Sequence, residues 1–288
     1  MTPQSSSQLS TQQDKLSWLL YGLYGSGKTA TAVSAFWDWK RQKLIRDGRW
    51  LLFGREENKA LHVPEKYIKR FVSPAENPLR FVEEFEKYMR AVVFSARKGG
   101  TPEVFVFDGF TEWNALFLSE HLTAKGDTGF ARFGEAKDRF FQFMQFINPE
   151  ELRAHVIGTA RVDEKKRGVK SKTTGEVVGA DPDFIDFKHI PNMTGWARNN
   201  LGNYFGMVLY VDSDPGKVKL PDGRIRDGEL HKVYFLPTED TNAYVKNWYS
   251  WAWQLSSLPN FLTNPTFDDM LASIKQAETE AAASMVGR

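Results

Sequence analysis

Two hydrophobic rhythms run through this chain. Ser17-Trp-Leu-Leu-Tyr21, Trp50-Leu-Leu-Phe53, Glu103-Val-Phe-Val-Phe-Asp108 and Ala154-His-Val-Ile-Gly-Thr-Ala160 are short, almost continuous apolar runs, the pattern of strands buried on both faces. Between them lie stretches of helical period: Ala30–Lys40, Pro78–Arg97 (stopped by Gly99-Gly100), Thr111–Leu122 and Phe133–Ile147. Strands that alternate with helices predict an α/β fold with a mainly parallel twisted sheet and helices on both faces.

The rhythm changes after Arg161. From there to about Tyr204 the chain is polar, Gly-rich and poorly periodic, longer than an ordinary connection and of a kind usually functional or mobile. Strand patterns return at Tyr204–Asp212 and Leu230–Leu236, with Pro221-Asp-Gly-Arg224 as a hairpin turn between shorter runs,. Leu258–Pro265 interrupts the pattern again. Thr266-Phe-Asp-Asp269 then opens a final helix, with Thr266 as N-cap and Asp268 and Asp269 in its first turn,. The expected organisation is a flexible polar tail over 1–14, a core over 15–257 that includes a long basic, Gly-rich segment at 161–203, and a C-terminal linker and helix over 258–288 whose end frays.

Composition narrows the class without choosing a function. With 288 residues, 41% hydrophobic and 26% charged, the chain has the make-up of an ordinary globular protein. No apolar run approaches the ~20 residues that span a bilayer, and the polar start Met1-Thr-Pro-Gln-Ser-Ser-Ser-Gln8 has no leader pattern,. No cysteine is present, which excludes disulfides and Cys-ligated zinc and suits a reducing cytoplasm. The five histidines show no metal spacing, and a net charge of +2 requires any nucleic-acid surface to be local,.

The sharpest chemistry lies in Gly22-Leu-Tyr-Gly-Ser-Gly-Lys-Thr29, a complete G-x-x-x-x-G-K-[ST] run between a strand pattern and a helix pattern,. Such a loop curls backbone N–H groups round phosphates and aims a helix start at them. Gly22, Tyr24, Gly25, Ser26, Gly27, Lys28, Thr29 and Ala30 are the expected nucleotide-binding residues. Lys28 is expected to reach the β/γ-phosphates of ATP, and the Thr29 hydroxyl to hold Mg²⁺. Asp108 ends a buried strand roughly 80 residues later, where an acidic residue can hold the metal's water shell; Asp108-Gly109 also reads as a simple turn.

Hydrolysis needs a group that orients water. Glu56 and Glu57 follow the second strand directly and would emerge at the same sheet edge, although Arg55–Lys59 also suits a solvated turn. Glu112, four residues beyond Asp108, competes with them. Thr159 and Arg161 close the 154–160 strand, where they either sense a γ-phosphate or merely terminate the strand.

These residues resemble RecA/RadA-like ATPases, in particular the compact phage-encoded type linked to single-strand annealing and recombination. The likeness rests on Gly22–Thr29, Glu56, Val104–Asp108 running into Gly-Phe-Thr111, and His155–Arg161. It implies that Glu56 activates water, and that Thr159 and Arg161 couple nucleotide state to DNA-binding loops. Gly54-Arg55 stands where the family often has an acidic residue, and Arg161 where phage members often have His. The resemblance also implies a homo-oligomeric ring or filament acting on single-stranded DNA, with single-strand-binding or replication proteins as further partners.

Two segments have the composition for single-stranded DNA, since phosphates attract mobile cations and unstacked bases attract aromatic faces. Lys125 and Arg132 lie beside Phe130 and Phe133, and Arg161, Lys165, Lys166, Arg167, Lys170 and Lys172 outnumber Asp163 and Glu164. Other aromatics read as core: Phe140–Phe146 as one helical face, and Trp248–Trp253 as sheet packing or a subunit contact. Trp196 is either a loop anchor or a base-stacking residue. A P-loop motor or helicase-loading ATPase working through protein partners, a small-molecule phosphotransferase and a non-hydrolysing nucleotide-gated module are the rival readings.

Overall fold

The computed structural model describes residues 15–53, 59–71, 79–100, 102–123, 130–164, 169–170, 177–178, 189–193, 197, 200–219, 224–236 and 257–286. Its centre is a run of parallel strands: β1 (Ser17–Gly22), β4 (Gly48–Phe53), β5 (Ile68–Phe71), β6 (Val104–Asp108), β7 (His155–Glu164) and β11 (Met207–Lys219). On one side the sheet continues antiparallel through β12 (Ile225–Tyr234) and β13 (Phe261–Thr263), in the order β13-β12-β11-β1-β7-β6-β4-β5. The short β10 (His189–Pro191) adds antiparallel to the far end of β7.

Both faces of the sheet are covered, because its central strands place buried apolar residues on both sides. Along β1, Leu19 and Tyr21 enter one core and Trp18 and Leu20 the other, as the two-residue period of a strand demands. The first core is closed by α2 (Leu79–Arg97), α3 (Phe110–Thr123) and α4 (Phe130–Phe146), through Phe85, Trp113, Phe140 and Phe143. Trp113 and Phe143 stack there with ring centroids 3.9 Å apart. The second core is closed by α1 (Lys28–Val33) and the C-terminal α7 (Phe267–Val286), through Ala32, Val33, Phe267, Met270 and Ile274, with Phe36 just beyond α1. The α/β class, the mainly parallel sheet and the C-terminal strand pair and helix all agree with the sequence pattern.

One element differs. Residues 30–40 read as a helix in sequence, but α1 ends at Val33, and Trp37–Asp38 pairs with Lys43–Leu44 as a small hairpin, β2 with β3. Tertiary partners explain the early stop. The Ser34 hydroxyl donates to Thr31 O and accepts from Phe267 N, while the Trp37 indole donates to Leu61 O. Buried Phe36 accepts at its carbonyl from Ile45 N and Arg46 N. Helical period alone does not show that the last turn will be recruited elsewhere.

The remaining short elements are α5 (Pro149–Leu152), β8 (Val169–Lys170) paired with β9 (Val177–Val178), and α6 (Leu201–Tyr204). The C-terminal helix opens on a reciprocal cap, with Asp269 N donating to Thr266 Oγ1 and Thr266 N to the Asp269 carboxylate,. Among the described residues no helix is long and apolar enough to cross a membrane.

Candidate functional site

Strand register brings the sequence candidates to one edge. β7 lies between β1 and β6, with Gly22 opposite Arg161 and Asp108 opposite Thr159. On the other side of β6, Leu52 pairs with Asp108. The C-terminal ends of these parallel strands therefore open on a common crevice of about 570 Å³ lined by Lys28, Thr29, Asp108, Glu112, Thr159 and Arg161. A crevice outside the carboxyl ends of parallel strands is where open α/β sheets bind ligands.

The loop after β1 has its shape because of its glycines. Gly25 and Gly27 adopt φ of 78° and 92°, the left-handed region that costs glycine nothing. A Cβ on Gly22 would come within 1.9 Å of the Val211 carbonyl on β11, so the loop can leave the sheet there only without a side chain. Ser26 is buried, whereas Tyr24 is 82% exposed at the rim. Ala30, in the first turn of α1, completes this wall of the crevice.

Lys28 Nζ donates to Gly22 O at 3.0 Å, to Leu23 O at 2.5 Å and to Ser26 Oγ at 3.3 Å. The ammonium thus sits within the turn of the loop itself. Burial lowers its pKa to about 8, against the opposing pull of Asp108; Arg161 lowers it further and Glu112 raises it,.

Asp108 is held from three sides. Its Oδ1 accepts from Thr29 Oγ1 at 3.1 Å and from the Thr159 hydroxyl, and its Oδ2 accepts from the Trp50 indole N–H at 3.1 Å. Burial raises its pKa, while the hydrogen bonds from Thr159, Trp50 and Thr29 and the nearby Lys28 charge oppose that rise. Thr159 Oγ1 also accepts from Gly109 N at 3.0 Å, so its hydroxyl is engaged in placing the Asp108–Gly109 corner. Gly109 turns that corner with φ of 98° and delivers the chain into α3.

Thr29 and Asp108 supply hard oxygen atoms side by side, a hydroxyl against a carboxylate. That donor set fits Mg²⁺, which prefers oxygen ligands and takes few of them from protein when phosphates are present. Bound there, the ion would neutralise phosphate charge. No further cluster of metal-binding side chains occurs among the described residues.

Arg161 and Glu112 face one another across the crevice. Arg161 Nε lies 2.6 Å from Glu112 Oε1, with side chains 49% and 26% exposed. The Arg161 backbone N–H donates to Thr111 Oγ1 at 2.9 Å, tying the end of the core part of β7 to the first turn of α3.

Several expectations fall on other ground. Glu56, Glu57, Lys125, Lys165, Lys166, Arg167, Lys172, Trp196 and Trp248–Trp253 lie outside the described residues. Lys170 falls in β8 and Arg132 in α4. Two site residues escaped sequence reading. Trp50 reads simply as a core aromatic, yet its indole N–H holds Asp108. His231, on β12, packs over Gly27, where an added Cβ would meet its ring at 2.7 Å. Nothing in the local sequence marks either residue, since both act through strand neighbours distant along the chain.

No family model matches the chain, and no curated protein does. Among solved structures it is similar to the ATPase DotB of Legionella pneumophila, at 13% identity and a TM-score of 0.29, over 81% of this chain and 50% of that one. The chain thus spans about half the length of that neighbour. At so distant a likeness, the site stands on its own residues: a Gly-shaped loop of a form that suits phosphate, a lysine within it, and a Thr–Asp pair at its lip,.

Proposed function

We propose that this protein is a RecA-like ATPase that binds ATP with Mg²⁺, hydrolyses it, and acts on single-stranded DNA in phage recombination or annealing. The observation that carries the nucleotide half is the meeting of Lys28, Thr29 and Asp108 at the carboxyl edge of a parallel sheet, with Thr29 and Asp108 in hydrogen-bond contact at 3.1 Å. Phosphoryl transfer asks mainly for positioning and charge stabilisation, and these residues supply a cation, a metal-binding pair and backbone N–H groups at one spot.

The DNA half is supported by the resemblance and by chain order. β7 carries Thr159 and Arg161 and continues to Glu164, braced by β10, before the basic run at 165–172. A γ-phosphate that altered the Arg161 end of this strand would act directly on that segment. Lys125, Lys165, Lys166, Arg167, Lys170 and Lys172 are the cations proposed to contact phosphates, with Arg132 beside them in sequence reading. A homo-oligomeric ring or filament in the cytoplasm is part of the same proposal.

The test is ATP hydrolysis by wild type and Lys28→Ala, with and without single-stranded DNA, at two salt concentrations. Stimulation by DNA that weakens with salt and vanishes in the variant is the expected result. Turnover indifferent to DNA, with no DNA binding in a non-hydrolysable ATP analogue, would remove the DNA half and favour a motor acting through protein partners.

A further inference from the structure

The crevice wall contains two carboxylates among the described residues, and they are in different circumstances. Asp108 is buried and both its oxygens already accept hydrogen bonds, from Thr29, Thr159 and Trp50. It is suited to holding a metal more than to taking a proton from water, since three hydrogen bonds already favour its charged form,. Glu112 stands one helical turn further, in the first turn of α3, partly exposed to the crevice and paired with Arg161 at 2.6 Å. Gly109 brings it there: the φ of 98° folds α3 back across the strand ends, and Glu112 Oε2 lies 3.1 Å from where a Gly109 Cβ would be.

We infer that Glu112 is the base that orients and deprotonates the attacking water, and that its ion pair with Arg161 restrains it until a γ-phosphate draws the guanidinium away. The inference rests on the ATPase reading of the site. Arg161 is half exposed and stands on the strand next to the phosphate loop, so its side chain can exchange partners while its backbone stays tied to Thr111. A phosphate oxygen competes well with a carboxylate for a guanidinium, since both accept the same planar fork.

The chemistry then balances with water as the sole co-reactant. The water oxygen forms a bond to the γ-phosphorus, and the bond from that phosphorus to the β,γ-bridging oxygen breaks with its electron pair left on ADP. One water proton passes to the Glu112 carboxylate and from there to solvent, giving ADP and inorganic phosphate. In this arrangement the triphosphate itself releases the base, and ADP, which lacks the γ-phosphate, leaves the Glu112–Arg161 pair closed.

The experiment compares wild type, Glu112→Gln, Glu56→Gln and Arg161→Ala by ATP binding with a fluorescent analogue and by single-turnover phosphate release. Glu112→Gln keeps an acceptor for Arg161, so ATP affinity should stay within about threefold while the single-turnover rate falls by about 100-fold or more, the usual contribution of a positioned base. Arg161→Ala should lose the preference for ATP over ADP yet turn over at saturating ATP faster than Glu112→Gln. Glu112→Gln turnover within about threefold of wild type, with Glu56→Gln inactive, overturns the inference and leaves the ATPase reading intact. Absence of ATP binding in wild type would sink both together. A loss of ATP affinity in Glu112→Gln equal to its loss of rate would also overturn it, by showing that the residue merely shapes the loop.

Discussion

The Lys28 ammonium, whose pKa burial brings down to about 8 while Asp108 pulls the other way, gives the proposed phosphate binding a pH dependence of definite sign. Above pH 8 the unliganded protein progressively loses this charge, and a bound polyphosphate restores it. ATP binding should therefore take up a proton between pH 8 and the ordinary lysine range, with affinity falling by up to about tenfold per pH unit. Calorimetry at pH 8.5 in buffers of different ionisation enthalpy reads that uptake, and identical heats in all of them would contradict it. The same group affects folding with the opposite reward: between 8 and the ordinary lysine value of 10.5 the unfolded chain binds more protons, so this lysine's contribution to stability rises with pH across that window. Trp50 makes a second claim at this scale. Trp50→Phe keeps a ring but removes the N–H that holds Asp108 Oδ2. Loss of a hydrogen bond to a charged group, about 1.5–3 kcal/mol, should weaken Mg²⁺-dependent ATP binding by about tenfold or more. A magnesium titration indistinguishable from wild type would reduce Trp50 to packing.

Among the elements, α1 is unusually dependent on its neighbours: at six residues it is far too short to persist on its own propensity. Ser34 links its end to the start of α7, accepting from Phe267 N at 2.8 Å in a buried setting. Ser34→Ala leaves that N–H without its acceptor and should cost about 1–3 kcal/mol in denaturant unfolding. A midpoint unchanged from wild type would mean that the two helices are held by apolar packing alone. β7 and α3 meet with equal tightness at Gly158, where an added Cβ would lie 2.7 Å from the Phe110 ring. Gly158→Ala should therefore lose about 1–3 kcal/mol by overpacking, and turnover should fall with it, because the displaced helix carries Glu112. Such contacts explain why helix existence was readable in sequence for α2, α3, α4 and α7 whereas the length of α1 was not. The first four bury a periodic apolar face; the last stops where Phe36 and Trp37 find partners on other elements.

Over the whole molecule, the sheet is thick with tertiary contact at its centre and thin at one projection. β11 pairs with β1 only through Met207–Val211, and β13 reaches β12 only at Lys232–Tyr234. Beyond them, Asp214–Lys219 and Ile225–Leu230 form strand pairs only with each other among the described residues, as a two-stranded ribbon at the end of the sheet that carries the Gly22–Thr29 loop. Two strands without further cover contribute little stability. Joining Asp214 to Leu230 through an Asn-Gly turn should cost no more than about 1 kcal/mol and leave His231 over Gly27. Global unfolding of that shortened chain would show that the ribbon is part of the core.

The sequence by itself determined whatever depends on near neighbours. Apolar runs bounded by turns made the strands, and Gly25 and Gly27 made a left-handed loop available ahead of Lys28 and Thr29. Asp108 was placed at a strand end because Val104–Phe107 can only be buried. What only the tertiary structure decided is which strand ends are adjacent. The entry of β7 between β1 and β6 sets Thr159 beneath Asp108 and Arg161 across from Glu112, and the pairing of β4 with β6 brings the Trp50 indole to the same carboxylate. Those meetings join residues 49 or more positions apart. They follow from hydrogen-bond register and from the packing of two cores on one sheet, and neither is written in any local stretch of chain.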